Sequence, residues 1–450
     1  AGLDRLFPDS ASEVLQREAA RMAVHSRFCV LSGGPGTGKT STVGRILALL
    51  IEQARAGQRE PLRIQLAAPT GKAAAHLSFS LEQSLVGLEV DEDVRAAIPR
   101  TAATLHRCLG AAGSEGRRFR YGAAQLLPLD VMLVDEASMV DLALMTQLVE
   151  AVPARARLIL LGDRDQLASV EAGAVLGDIT RPGPAGDTAP SIVHLTHNYR
   201  FASDSGVGRL TRAVNEGDFE AAMAVLEDPS HPEVRWIEPG AEEFRVALSG
   251  WVAEGYAPFL SESDPAARLR AFDHFRVLSV HRHGRFGVES LNAMIESQLA
   301  TEAGFDTRVP FYAGRPLGVT RNDYELELYN GDVGVVTESP NKAGGGGRAL
   351  FLSADGRPRS VSTLRLGSAE TVFAMSVHKS QGSEFDEVVV VLPHEDSALV
   401  TRELLYTAVS RARERVTLFA PRDVLRAAIG RRVERASGLA EALWGPEAAR

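Results

Sequence analysis

The sequence predicts an α/β protein with two parallel sheets, the first carrying a small β-hairpin insertion and the second a small β-barrel insertion. Three observations predict it. Short β-rich apolar runs alternate with helical patterns through residues 1–180, strand-like runs return after residue 270, and residues 305–367 change to short β-runs separated by turn residues. Alternation of strand and helix means parallel strands joined by crossover helices, whereas short runs punctuated by turns read as a meander or barrel.

In the first sheet the strand candidates are Phe28 to Ser32, Arg63 to Ala68, Asp130 to Val134 and Arg157 to Leu161. Gly110 to Pro128 lies between the second and third and contains Arg117, Arg118, Phe119, Arg120 and Tyr121. It reads as an exposed hairpin insertion, about 110–128, serving either as a solvated surface turn or as a nucleic-acid contact. The Pro/Gly-rich stretch Arg181 to Pro190 reads as a linker and closes a first domain at 1–185. Helical patterns then run to about residue 270. Phe275 to Val280, Val388 to Leu392 and Val416 to Phe419 build the second sheet, as 186–304 and 368–450. The insertion at 305–367 carries the turns Asn330-Gly331, Gly344 to Gly347 and Asp355-Gly356.

Composition narrows the class. The chain has 450 residues, 45% of them hydrophobic, enough for two to four domains with real cores. Its longest apolar runs have strand length, far short of the roughly 18 residues of a membrane helix. Two cysteines, Cys29 and Cys108, exclude a disulfide framework or a four-cysteine metal site, and they fit a reducing cytoplasm as buried, inert thiols. The net charge of -9 excludes a global basic field, so any nucleic-acid contact must be local. Of 49 basic residues only four are lysines, Lys39, Lys72, Lys342 and Lys379. Arg replaces Lys freely on a solvated surface but not where a compact ammonium must fit, which singles these positions out. Lys342, in a Gly-rich loop, is the exception.

Gly33-Gly34-Pro35-Gly36-Thr37-Gly38-Lys39-Thr40 follows a predicted strand and opens a predicted helix at Ser41, the full context of a phosphate-binding P-loop. Backbone N–H groups from Gly34 to Ser41 would surround the β-phosphate, Lys39 would sit between the β- and γ-phosphates, and the Thr40 hydroxyl would ligate Mg²⁺. Val131 to Val134 is an apolar strand ending in Asp135-Glu136. Asp135 would hold the metal through water, and Glu136 would orient and deprotonate the attacking water.

The remaining segments, in order, resemble those of superfamily 1 helicases. They are Gln16; Ala67-Ala68-Pro69-Thr70-Gly71-Lys72-Ala73-Ala74; Thr104-Leu105-His106-Arg107; Asp135-Glu136-Ala137-Ser138-Met139; Gly162-Asp163-Arg164-Asp165-Gln166-Leu167; Asn198-Tyr199-Arg200; Val377 to Phe385; and Tyr406 to Arg413. The wording of Gly162 to Gly177 and Ser376 to Asp386 is most similar to the RecD family. Its members are the 5′-to-3′ motor subunits of RecBCD helicase-nucleases (exodeoxyribonuclease V).

The resemblance implies two RecA-like P-loop domains, ATP and Mg²⁺ as cofactors, and a bacterial cytoplasmic heterotrimer with RecB and RecC acting on single-stranded and duplex-end DNA. It also implies roles. Gln16 reads adenine, Gln166 couples the γ-phosphate to the DNA groove, and Arg200 and Arg411, both on the second lobe, reach the γ-phosphate. Arg411 is the arginine finger, and Gly382 and Glu384 hold the ribose. Thr70, Lys72, Thr104 and His106 on the first lobe, with His378 and Lys379 on the second, grip the strand. As a lone histidine, His106 also fits a structural role. Nothing of the length of the family's N-terminal helical domain precedes Gln16 in this sequence, so either the chain is truncated or residues ahead of it are omitted, and assembly with partners is less legible than the ATP site. Two other readings stay open: a regulatory subunit that switches on ATP without translocating, and an RNA helicase.

Overall fold

The computed structural model describes the chain except for residues 1, 8–12, 113–117, 170–172, 182–190, 202–203, 239–240, 324, 341–345, 354–355, 434–436 and 446–450. The chain divides into two compact units, Ala1–Arg200 with Glu434–Arg450, and Phe201–Val433.

The first unit is built on strands β1 (Phe28–Gly33), β2 (Ile64–Ala68), β3 (Ala103–Thr104), β6 (Val131–Val134), β7 (Arg157–Gly162) and β8 (Ile192–Leu195). They form one six-stranded sheet in the order β3-β2-β6-β7-β1-β8, every pair parallel. Alternate residues feed two separate cores. Leu31, Leu66, Leu133 and Leu161 lie in one, and Val30, Ala67, Met132, Val134 and Leu160 in the other. A sheet covered on both faces needs unbroken apolar strands, which is why these runs were readable. Between β3 and β6, the strands β4 (Ala111–Ala112) and β5 (Arg118–Phe119) pair antiparallel, so the expected hairpin is present. Arg117 falls outside the described residues.

The second unit contains β9 (Val234–Ile237), β10 (Phe275–Ser279), β16 (Ala374–Ser376), β17 (Phe385–Val391) and β18 (Ala412–Phe419). They form a parallel sheet in the order β16-β10-β17-β18-β9. Inserted between β10 and β16 is a five-stranded antiparallel sheet of β11 (Pro316–Val319), β12 (Val333–Glu338), β13 (Arg348–Leu352), β14 (Pro358–Ser362) and β15 (Ala369–Thr371), in the order β14-β13-β12-β11-β15. Its core includes Leu317, Val336, Phe351 and Val361. On β10 itself, Arg276 is fully buried, donating to the Val372 and Phe272 carbonyls at 2.7 and 3.0 Å and lying 3.6 Å over the Phe272 ring.

Four boundaries differ from the sequence reading. The first unit runs to Arg200 rather than 185, because β8 pairs with β1 and keeps the chain on the first sheet. The chain's end returns to that unit. Ser437 Oγ donates to Asp178 Oδ2 at 2.5 Å, and Trp444 Nε1 donates to the Asp178 carbonyl at 2.8 Å. The stretch whose patterns read as helical up to about residue 270 contains β8 and β9, the latter joining the sheet, among the described residues, through β18 alone. The inserted sheet extends past residue 367, since β15 pairs with β11. Of the linker Arg181 to Pro190, residues 182–190 lie outside the described residues.

Candidate functional site

In a parallel sheet, ligands bind beyond the carboxyl ends of the strands. In the first unit that edge gathers nearly every predicted site residue. The P-loop follows β1, Thr70 and Lys72 follow β2, Thr104 ends β3, Asp135 and Glu136 follow β6, Gln166 follows β7, and Asn198-Tyr199-Arg200 follow β8. Because β6, β7 and β1 are neighbours, the three nucleotide segments lie side by side.

The loop Gly34 to Gly38 delivers Lys39, Thr40 and Ser41 to the first turn of the helix Lys39–Ala56, where unpaired backbone N–H groups favour an anion. Lys39 Nζ donates to the Gly33 and Gly34 carbonyls at 2.5 and 3.0 Å, which keeps the ammonium inside the loop. Gly36 has φ +78°, and a Cβ there would lie 2.5 Å from the Arg200 Cβ, so only glycine fits. Gln16 is buried on the helix Val14–His25. Its Nε2 donates to the Thr37 carbonyl at 3.3 Å, and its Oε1 is buried without a hydrogen-bond partner among the described residues. A buried acceptor is costly to leave unpaired, and the amino edge of an adenine would supply the missing donor. The residues present therefore fit ATP.

Glu136 adopts a left-handed conformation, φ 52° and ψ 39°, while Asp135 Oδ1 accepts its backbone N–H at 2.8 Å. A non-glycine residue held there costs about 1–3 kcal/mol, and such strain clusters at active sites. The turn packs on Gly162, where a Cβ would lie 3.1 Å from the Ser138 nitrogen. Gln166 Nε2 donates to Asp163 Oδ2 at 3.2 Å, leaving its buried Oε1 without a partner among the described residues. That is an acceptor suited to a water molecule. No group of three or more His, Cys, Asp or Glu side chains among the described residues could hold a metal. Thr40 and Asp135 fit Mg²⁺ all the same, because that ion takes most of its ligands from phosphates and water.

Arg200 is not on the second lobe as expected. It belongs to the first unit, and its segment is clamped to the P-loop: Asn198 Nδ2 donates to the Pro35 carbonyl at 2.9 Å, and Tyr199 N to the Gly36 carbonyl at 2.8 Å. The physical reason is β8, which returns the chain to the sheet edge just before this segment. Tyr199 had been given no role. Its ring is 49% exposed, packs on Gly38 and meets His197 edge-on at 4.5 Å, presenting an aromatic face beside the loop.

Among the expected strand grips, Thr70 and Thr104 cap helices, their Oγ1 atoms accepting from Ala73 N and Arg107 N at 3.2 Å each. A capping threonine keeps its own O–H to donate to a phosphate. Lys72 lies in the first turn of the helix Gly71–Leu85. The His106 ring packs 5.8 Å from that of Phe119, which ties it to the hairpin.

In the second unit the predicted residues divide between opposite edges of one sheet. His378 and Lys379 form a short turn beyond the carboxyl end of β16. Glu384 and Arg411 immediately precede β17 and β18, at the amino edge, where Phe385 N donates to the Arg411 carbonyl at 2.9 Å. Ser376 and Val391 are both level with Ser279, so the segment Val377 to Glu384, with Gly382 at φ +70°, descends the length of β17, about 20 Å. One piece of backbone thus joins His378 and Lys379 to Glu384, and its Ser383 carbonyl accepts from Arg411. Arg411 is 2% exposed, its guanidinium donating to the Thr407 and Ser383 carbonyls and to Ser410 Oγ at 3.0, 3.2 and 3.2 Å. Glu384 pairs with Arg413 at 3.3 Å.

Comparison with known proteins agrees with this arrangement. Residues 12–236 match the family model of an AAA domain, and residues 371–419 that of a UvrD-like helicase C-terminal domain. The chain is 46% identical to the RecBCD enzyme subunit RecD of Mycobacterium tuberculosis, over 97% of this chain and 74% of that protein. It is 44% identical to the RecD subunit of Mycolicibacterium smegmatis, over 98% and 76%. The ATP-dependent RecD2 DNA helicase of Deinococcus radiodurans is 31% identical over 92% of this chain and 50% of that protein. In fold the chain is similar to Bacteroides Pif1 bound to single-stranded DNA, with a TM-score of 0.51, 16% identity and coverage of 92% and 94%. With its nucleotide segments on adjacent strand ends and relatives of this identity matched along almost its whole length, the chain belongs to the RecD family of superfamily 1 helicases.

Proposed function

We propose that this chain is an ATP-dependent 5′-to-3′ single-stranded DNA translocase and DNA helicase. It works as the motor subunit of a cytoplasmic RecBCD-type heterotrimer, with RecB- and RecC-type partners, on duplex ends in double-strand-break repair and recombination. The observation that carries the reading is the meeting of the P-loop, Asp135-Glu136 and Gln166 at the ends of three adjacent strands.

On ATP binding, Lys39 exchanges the Gly33 and Gly34 carbonyls for β- and γ-phosphate oxygens. Gln16 Oε1 accepts from the adenine amino group, and the Tyr199 face lies against the base. The Thr40 hydroxyl and, through water, the Asp135 carboxylate would hold a magnesium ion, whose charge would offset that of the phosphates. Glu136 orients a water and takes its proton as the oxygen–phosphorus bond forms and the bond to the β-phosphate oxygen breaks. Gln166 Oε1 accepts a hydrogen bond from that water. Arg200, on the P-loop's own unit, and Arg411 stabilise the charge on the transferring group. Arg411 does so after leaving its carbonyl partners, so its release follows nucleotide state. The segment Val377 to Glu384 carries that change to His378 and Lys379, which grip phosphates without reading sequence.

Strand displacement on duplexes with a 5′ or a 3′ overhang tests the reading, with Lys39→Gln as the inactive control. Displacement from the 5′ overhang alone is expected, and displacement only from the 3′ overhang rejects it. ATP hydrolysis stimulated by single-stranded DNA separates this motor from an RNA helicase and from a switch that does not translocate.

A further inference from the structure

Lys379, one of the proposed grips, is already engaged. Its Nζ pairs with Oε1 of Glu370, and the other oxygen of that carboxylate lies 3.3 Å from Arg282 Nη2. Arg282 Nε in turn meets Glu289 Oε1 at 3.0 Å, and Glu289 Oε2 meets His283 Nδ1 at 2.9 Å. The four elements involved converge on the carboxyl edge of the second parallel sheet. Arg282 follows β10, Lys379 follows β16, Glu289 opens the helix Val288–Glu302, and Glu370 reaches over from β15, at an edge of the inserted sheet. Between them lies an open cleft of about 300 Å³, lined in part by Arg282, Asn292, Glu370 and Lys379.

The geometry of Glu370 is that of a phosphodiester. It offers two oxygens carrying one negative charge, one oxygen to each of two cations on separate loops. Its partners remain reachable, with side-chain exposures of 60% for Arg282 and 34% for Lys379 against 27% for Glu370 itself. Exposed pairs of this kind are weak, whereas a DNA strand brings a continuous line of phosphates and releases counterions when it binds.

We propose that Glu370 is a built-in phosphate mimic, occupying Lys379 and Arg282 until single-stranded DNA displaces it, and that Arg282 is a further strand-binding residue of this unit. The proposal rests on reading Lys379 as a strand grip. Displacement makes the second unit's hold conditional on a ligand with more than one phosphate. It also places the inserted sheet in control of affinity, since that sheet supplies the competing carboxylate.

The test is fluorescence anisotropy of a labelled oligothymidylate with the full chain. Glu370→Gln is expected to tighten binding about fivefold at ~50 mM salt, with the gain fading by ~500 mM as charge is screened. In a Lys379→Ala background the same change should give a smaller gain, since only Arg282 is then released, and Arg282→Ala alone should weaken binding. If Glu370→Gln leaves affinity unchanged or weaker while Lys379→Ala weakens it, the mimic is refuted and the grip stands. If Lys379→Ala and Arg282→Ala both bind as the parent does, the underlying reading fails as well. Should circular dichroism show Glu370→Gln unfolded, Glu370→Asp decides, because it keeps the charge on a shorter arm. Tighter binding by that variant supports the mimic, and equal or weaker binding overturns it.

Discussion

Gln16 and Gly36 show how much of the nucleotide site depends on single atoms. Removing the amide in Gln16→Ala deletes the acceptor aimed at adenine, so the preference for ATP over GTP is expected to fall about tenfold, as measured by kcat/KM for each. A methyl group in Gly36→Ala meets the Arg200 and Asn198 side chains in a left-handed backbone, and ATP turnover should drop about 100-fold with the circular dichroism unchanged. The two thiols behave oppositely to reactive cysteines. Burial pushes Cys29 up to about 12 and Cys108 up to about 11, so iodoacetamide at pH 8 should label neither until the chain is unfolded. At this scale the sequence was most legible where chemistry admits one residue type. Lys39 and Lys379, two of four lysines among 49 basic residues, both fall where the structure gives the ammonium defined partners. The left-handed Glu136 and the engagement of Lys379 by Glu370 left no trace in the sequence, because neither a backbone angle nor a partner nine positions away on another strand has a local signature.

Strands with apolar residues facing two cores were readable, and edge strands were not. β1, β6 and β7 are continuous apolar runs, whereas β9, only Val234–Ile237, is exposed along part of its length and pairs with residues nearly the whole unit away. The amino ends of two interior strands of the first sheet carry a charged clasp. Arg63 and Asp130, just ahead of β2 and β6, form a bidentate pair with both bonds at 2.9 Å. The Arg63 guanidinium holds the Asp130 carboxyl down at about 2. A carboxyl depressed in the folded state stabilises above its ordinary value of 3.8 and loses that contribution as pH falls towards 2. Allowing for solvent screening, Asp130→Asn should cost roughly 1–2 kcal/mol at pH 7, and the difference from the parent should vanish near pH 2 in urea melts. Buried Arg276 sits in a cage of carbonyls and rings, so Arg276→Ala should cost about 3 kcal/mol by the same assay.

For the molecule as a whole, the order of motifs along the chain was a better guide than any boundary. The two parallel sheets and both insertions were legible because each changes the period of the apolar pattern, but the chain stays with its first unit until Arg200 and returns to it near Ser437. Neither crossing changes composition, and one misplaced boundary assigned Arg200 to the wrong unit. With Arg200 on the first unit, Arg411 is the second unit's cation in the proposed hydrolysis. Single-turnover ATP hydrolysis by Arg411→Ala in saturating oligothymidylate, with ATP affinity measured separately by fluorescent-nucleotide binding, tests that role most directly. A rate lower by about 10³-fold or more, with affinity changed less than about tenfold, is expected. A hydrolysis rate within about threefold of the parent would contradict it.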